Sequence, residues 1–193
     1  MAGLSLLEII GLLSGIVYVI LAARAIIWCW PVGLVNVGAF LFINYEAKLY
    51  ADTALQVVYL FLTLYGWYKW MEKPENKDNT LMITDTNKQQ WIYIAIVFVV
   101  STVFLSLITG RYTDTDVPVW DAVVTALSLI ATWMVAHKKI ENWLVWIVAD
   151  ILYIGLYYYK EYYLLVILFF IYIIVAIQGY FYWLKLKKVK PAF

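Results

Sequence analysis

Cysteine and histidine are almost missing: Cys29 and His137 are the only ones in 193 residues. A single cysteine excludes an intrachain disulfide and a cysteine-cluster metal site. One histidine, beside Lys138 and Lys139 in what reads as a loop, is expected to be solvated. A metal site usually takes three or four convergent donors, so no metal or cofactor is expected. Charge is scarce too: Asp, Glu, Lys and Arg make up 14% of the chain, against about 25% in an average soluble domain. The net charge of +1 leaves no basic footprint for nucleic acid.

Apolar residues are what the chain has in excess: 65% of it is hydrophobic, with a mean hydropathy of +0.82. Soluble domains hold about 45–50%. Several runs approach the roughly 20 residues that cross a bilayer as a helix. The expectation is an all-α integral membrane protein whose partner is the lipid bilayer. The N-terminus lacks the basic region of a cleavable signal peptide, so its first apolar run is expected to stay as a span.

The pattern predicts seven transmembrane helices near 4–27, 29–47, 51–71, 91–109, 119–137, 140–159 and 162–186. Between the third and fourth lies a polar stretch, 71–90, read as a solvent loop too polar to bury. Lys48, Arg111 and Lys160 fall on the side that holds the N-terminus, and the rest of the 14 basic residues, Lys73, Lys77 and Lys190 among them, on the other. By the positive-inside rule the N-terminus is outside and the C-terminus cytoplasmic. Pro31 and Pro118 stand at helix starts, where a missing N–H does no harm. Gly11 and Gly15 make a Gly-x-x-x-Gly face read as a packing surface.

The chain also repeats itself at an ungapped offset of 113 residues, Trp30 to Trp143. The same register pairs Glu8 with Asp121, Tyr45 with Tyr158, Tyr50 with Tyr163, Tyr59 with Tyr172, Gly66 with Gly179 and Trp70 with Trp183. This gives one transmembrane domain: repeat one at 4–71, a loop at 71–90 with a linker helix at 91–109, and repeat two at 119–186. One odd helix between two three-helix units leaves both in the same orientation. The result is a 3+1+3 parallel internal repeat, the SWEET-like arrangement of some transporters, with substrate held near the midplane between repeats. Residues shared by both halves are expected to be framework, and polar residues that break the pairing are site candidates.

Four residues break it most usefully: Asp150 faces Val37 in the register, Trp146 faces Gly33, Asn36 faces Ala149 and Gln56 faces Phe169. An ionisable group at mid-bilayer costs roughly 2.5–3.5 kcal/mol on insertion scales, so Asp150 needs a polar cavity, a partner or a function. Trp146, one helical turn earlier on the same face, offers an indole beside that acid. Asn36 and Gln56 can join helices or hydrogen-bond a ligand. Trp120 is a candidate stacking wall at the start of helix five, and Tyr153 lies one turn beyond Asp150. Glu8 and Asp121, near helix starts, suit a charge–dipole role as well as ligand contact. No histidine lies in a span and the mid-membrane acid stands alone, so the pairs that intramembrane hydrolysis needs are missing and no catalytic residue is expected.

Read together, Gly33-Leu34-Val35-Asn36-Val37, Lys48-Leu49-Tyr50-Ala51, Leu55-Gln56-Val57, Tyr65-Gly66-Trp67-Tyr68-Lys69-Trp70, Trp120-Asp121 and Glu141-Asn142-Trp143-Leu144-x-Trp146 resemble the PnuC-type bacterial vitamin transporters. The likeness covers nearly the whole chain apart from the 71–90 loop and helix four, and adds Asn142 to the candidates. It implies a homotrimer in the bacterial cytoplasmic (inner) membrane. It also implies facilitated diffusion of an unphosphorylated vitamin, trapped afterwards by a cytosolic kinase. Nicotinamide riboside carriers of this family have Trp-x-x-x-Asn on the sixth helix; here it reads Trp146-x-x-x-Asp150. That departure points toward thiamine, as in the related PnuT branch. A carboxylate accepts from an aminopyrimidine and attracts a thiazolium cation. Nicotinamide riboside and riboflavin remain alternatives, and an ion-coupled symporter using Asp150 is an alternative class.

Overall fold

In the computed structural model, residues 5–72 and 82–189 are described. They form seven helices: α1 (Leu6–Ala23), α2 (Cys29–Glu46), α3 (Tyr50–Met71), α4 (Lys88–Tyr112), α5 (Pro118–Ala136), α6 (Asn142–Tyr159) and α7 (Tyr163–Val189). Four of them, α1, α4, α5 and α7, are long and apolar enough to cross a membrane on composition alone. The other three, α2, α3 and α6, carry Asn36, Gln56 and Asp150, so the polar candidates lie on the less apolar helices. At 1.5 Å per residue, even the 18-residue α2 and α6 run about 27 Å, close to the hydrocarbon thickness.

Local signals set the boundaries. Ser5 caps α1 in a capping box with Glu8, which explains that acid by helix-end chemistry. Pro118 opens α5. Asn87 and Gln90 make a second capping box, so α4 begins at Lys88 rather than near 91. Two tight turns, between α1 and α2 and between α5 and α6, each contain a non-glycine residue at positive φ, Ala25 (54°) and Lys138 (48°). The turns after α2 and α6 do the same at Lys48 (58°) and Glu161 (61°). Such residues are uncommon. Here both pairs are separated by the 113-residue offset.

Contacts recur at that offset as well. α1 packs on α2 and α2 on α3; α5 packs on α6 and α6 on α7; the halves meet where α1 touches α7 and where α3 touches α5. Trp30 lies edge-on to Trp70, 5.5 Å between centroids at 83°, and Trp143 lies edge-on to Trp183, 5.5 Å at 89°. The Trp70 indole N–H donates to the Val135 carbonyl across the halves, and that of Trp183 donates to the Ala22 carbonyl, both at 3.1 Å. Trp70 and Trp183 also face each other at 6.3 Å. Four tryptophans thus close one end of the bundle, with Trp30 seated on Gly66 and Trp143 on Gly179. Large rings packed edge to face, with two of the indole N–H groups satisfied, bury this end of the molecule.

The polar stretch departs from expectation. Residues 73–81, with Lys73 and Lys77, lie outside the described residues, as does Lys190. Residues 82–87, however, are not a free solvent loop. Thr84 pairs with the Lys138–Ile140 backbone in a short parallel bridge. The Glu141 carboxylate accepts from the Thr86 N–H at 3.0 Å and from its hydroxyl at 2.7 Å, and Asp85 forms an ion pair with Lys187. Thr86 is buried. Polar chain can be covered here because each buried donor meets a matched acceptor. The segment therefore straps the start of α6 to the start of α4 and the end of α7.

His137 is likewise held rather than solvated. Its Nδ1 faces the Trp133 carbonyl at 2.9 Å, its Nε2 faces the Tyr65 hydroxyl at 3.0 Å, and its ring lies 4.2 Å from that of Trp133. It ends α5 and reaches α3, at the seam between the halves.

Candidate functional site

Between the two halves lies a cavity of about 420 Å³. All helices but α4 line it; α4 packs chiefly on α5 and buries none of its own residues. The volume falls in the range of roughly 300–1,000 Å³ typical of small-molecule sites.

Asp150 sits halfway along α6 and is 2% exposed. Its Oδ1 is buried without a hydrogen-bond partner, and among the described residues the side chain makes no ion pair. The structure therefore offers no interhelical bond to account for the acid. One turn before it, Trp146 also lines the cavity. One turn beyond it, Tyr153 does so with its ring stacked on Phe169, 4.5 Å apart at 24°. Tyr157 continues the same stack, 5.4 Å from Phe169. A flat aromatic wall thus stands beside an unpaired carboxylate, with Asn36 and Gln56 also facing the space. The Asn36 amide donates to the Gly11 carbonyl at 2.7 Å, so it joins helices and borders the cavity at once.

Five of the seven candidates, Asp150, Trp146, Asn36, Gln56 and Tyr153, come together; two do not. Trp120 packs its ring over Gly155 and donates its N–H to the Leu152 carbonyl at 3.1 Å, which turns it onto α6 and away from the cavity. Asn142 is fully buried at the α6 start, its amide donating to the Lys139 carbonyl at 2.6 Å, a turn-closing role far along the helix from Asp150. Asp121 is taken up by Lys160, 3.0 Å away.

Sequence reasoning missed the hydroxyl lining: Tyr18, Tyr59, Thr63, Ser128, Thr132 and Tyr172. Tyr59 and Tyr172 were expected to be framework because the offset matches them, and Trp143 likewise. All three border the cavity, since matched residues on two facing halves can look into the space between them. Small and hydroxylic residues on α1 and α5 (Gly11, Gly15, Ser128, Thr132) were the available signal. They keep those two helices from filling the centre.

A helical bundle that wraps an aromatic cavity holding one unpaired acid, with apolar helices outside, has the make-up of a polytopic membrane protein. Residues 5–185 match the family described as nicotinamide mononucleotide transporter, and the chain belongs to that family. It is 26% identical over 178 residues to the nicotinamide riboside transporter PnuC of Escherichia coli K12, covering 80% of this chain and 74% of that protein. It is 26% identical over 201 residues to PnuC of Neisseria mucosa, covering 95% and 74%. It is 25% identical over 154 residues to the riboflavin/roseoflavin transporter RibM of Streptomyces davaonensis, covering 77% and 70%. A crystal structure of the vitamin B3 transporter PnuC shares the fold, with a TM-score of 0.75 at 23% identity over 96% of this chain and 83% of that one. The chain is an all-α, seven-helix integral membrane transporter of the PnuC family.

Proposed function

We propose that this transporter carries an unphosphorylated, cationic vitamin, thiamine, by facilitated diffusion across the bacterial inner membrane, with trapping by a cytosolic kinase. The observation that carries the reading is the buried, unpartnered Asp150 oxygen in a cavity walled by Trp146, Tyr153 and Phe169. An unpaired carboxylate in low dielectric calls for a donor-rich or cationic partner, and a flat ring stacks on the aromatic side. Among the described lining residues there is no Lys, Arg or His, which supports a cargo without phosphate. In this reading Asp150, Trp146, Asn36, Gln56 and Tyr153 contact substrate, the 3+1+3 units at 4–71 and 119–186 rock around it, the C-terminus is cytoplasmic and the protein is a homotrimer.

A second cargo, nicotinamide riboside, is favoured by the names of the E. coli and N. mucosa relatives. It is also a flat cation, so Asp150 suits it on charge, though an ionised acid cannot donate to its carboxamide carbonyl. Counterflow in reconstituted vesicles, comparing thiamine, nicotinamide riboside and riboflavin, decides between them. Thiamine exchanging best supports the proposal; preferential exchange of nicotinamide riboside replaces it with the second cargo. Accumulation above equilibrium only under an imposed ion gradient would overturn facilitated diffusion in favour of a symporter.

A further inference from the structure

The same cavity has a second polar point, which pairs Asn36 with Tyr172, a residue the sequence placed in the framework. A Cβ built on Gly15 of α1 would stand 3.0 Å from the Asn36 amide nitrogen of α2 and 3.0 Å from the Tyr172 hydroxyl of α7. Two atoms that close to one point lie within about 6 Å of each other. Both side chains line the cavity, so a ligand oxygen entering between them meets an amide donor and a phenol. Both groups have capacity to spare. The Asn36 nitrogen gives one N–H to Gly11 and keeps another. The Tyr172 hydroxyl makes no hydrogen bond among the described residues.

The other half of the molecule suggests what belongs there. At the 113-residue offset Gly15 becomes Ser128, whose hydroxyl bonds to the Tyr153 hydroxyl at 3.2 Å, with Tyr59, the counterpart of Tyr172, beside it. Repeat two carries its own hydroxyl at this position, beside Tyr59 of repeat one, whereas repeat one has glycine there, beside the Tyr172 phenol of repeat two, which makes no hydrogen bond among the described residues. We propose that Asn36 and Tyr172 bind the terminal alcohol of the cargo, which takes over in repeat one the place that the Ser128 hydroxyl fills in repeat two. The Asn36 N–H donates to the alcohol oxygen, and the alcohol O–H donates to Tyr172. This rests on the vitamin reading but not on which vitamin, since thiamine, nicotinamide riboside and riboflavin all end in an alcohol.

The test is a cycle of binding measurements on the full-length protein in lipid vesicles. The ligands are thiamine and its analogue with hydrogen in place of the hydroxyl, and nicotinamide riboside with its 5′-deoxy form; the proteins are wild type and Tyr172→Phe. One neutral hydrogen bond corresponds to roughly 3- to 10-fold in affinity. Wild type should prefer the alcohol by that factor, and Tyr172→Phe should lose the preference while binding the deoxy ligand as before. Gly15→Ser, which supplies the hydroxyl from the protein, should remove the preference as well. A wild type that discriminates less than about twofold, or losses from the ligand change and from Tyr172→Phe that simply multiply, would overturn the assignment. A wild type that binds neither vitamin overturns the vitamin reading itself, and the alcohol site with it.

Discussion

The two halves of this transporter share a scaffold and differ in chemistry. Turn residues at positive φ, tryptophans seated on glycines and cross-half indole bonds all recur at one offset. Most cavity residues do not, Tyr59 and Tyr172 excepted: Asp150 faces Val37 in the register, Trp146 faces Gly33 and Ser128 faces Gly15. Packing demands are the same for both halves because both must close the same kind of three-helix unit. The central cavity is under no such demand, and the acid stands in one half alone. The halves differ also at the tryptophan end, where the start of α6 is strapped through Glu141 while its counterpart Trp28 is 66% exposed.

The largest expected effect tests the shared scaffold. A methyl on Gly66 would fall 2.1 Å from the Trp30 ring, against 2.8 Å for Gly179 and Trp143. Gly66→Ala should destabilise by about 3 kcal/mol or more and Gly179→Ala by about 1–2 kcal/mol, read as loss of the monodisperse peak on heating in detergent. Equal, mild effects would break the idea that these seats are tight in both halves.

Next comes the asymmetry at the centre. Asp150→Asn should weaken vitamin binding by at least about tenfold, since bonds to a charged group contribute roughly 1.5–3 kcal/mol. The same change should raise the melting temperature of the empty protein, because it removes an unpaired carboxylate from a buried position. Unchanged affinity would remove Asp150 from the site.

The strap should give a smaller difference. Glu141→Ala leaves the Thr86 N–H and hydroxyl without their acceptor and should cost about 1–3 kcal/mol. Trp28→Ala, at the equivalent place in repeat one, should stay within about 0.5 kcal/mol. If both cost the same, the strap contributes nothing special to repeat two.

The smallest effect is on pH. Burial pushes His137 below its ordinary value of 6.5, helped by nearby Lys69 and Lys139 and opposed by the Trp133 carbonyl. The unfolded chain therefore takes up this proton first as pH falls. The stabilisation is complete above about pH 6.5 and declines below it. His137→Gln should flatten the fall in melting temperature on acidification from about pH 7.5 to about pH 5. An unaltered slope would mean that other groups carry it.

Much of this arrangement could be read from the chain. Runs of apolar residues located seven helices, and the register of Trp30 with Trp143 located the two units, because span length and ring packing leave regular marks. Asp150 stood out since a charge at that depth needs a reason. Less legible was the 82–87 strap, whose Thr, Asp and Asn content looks solvated until Glu141 supplies an acceptor 55 residues away. Trp120 read as a wall of the cavity, but which way a ring turns depends on the gap at Gly155, a property of the neighbouring helix.

Composition, hydrophobic period and internal register by themselves determined the membrane setting, the helix count and the exceptional acid, since each follows from the cost of placing given side chains in lipid. Only the tertiary structure decided which hydroxyls and rings share the central cavity with that acid. Helices α1 and α5 hold small residues there, and the space those residues leave exists only once six helices have closed around it.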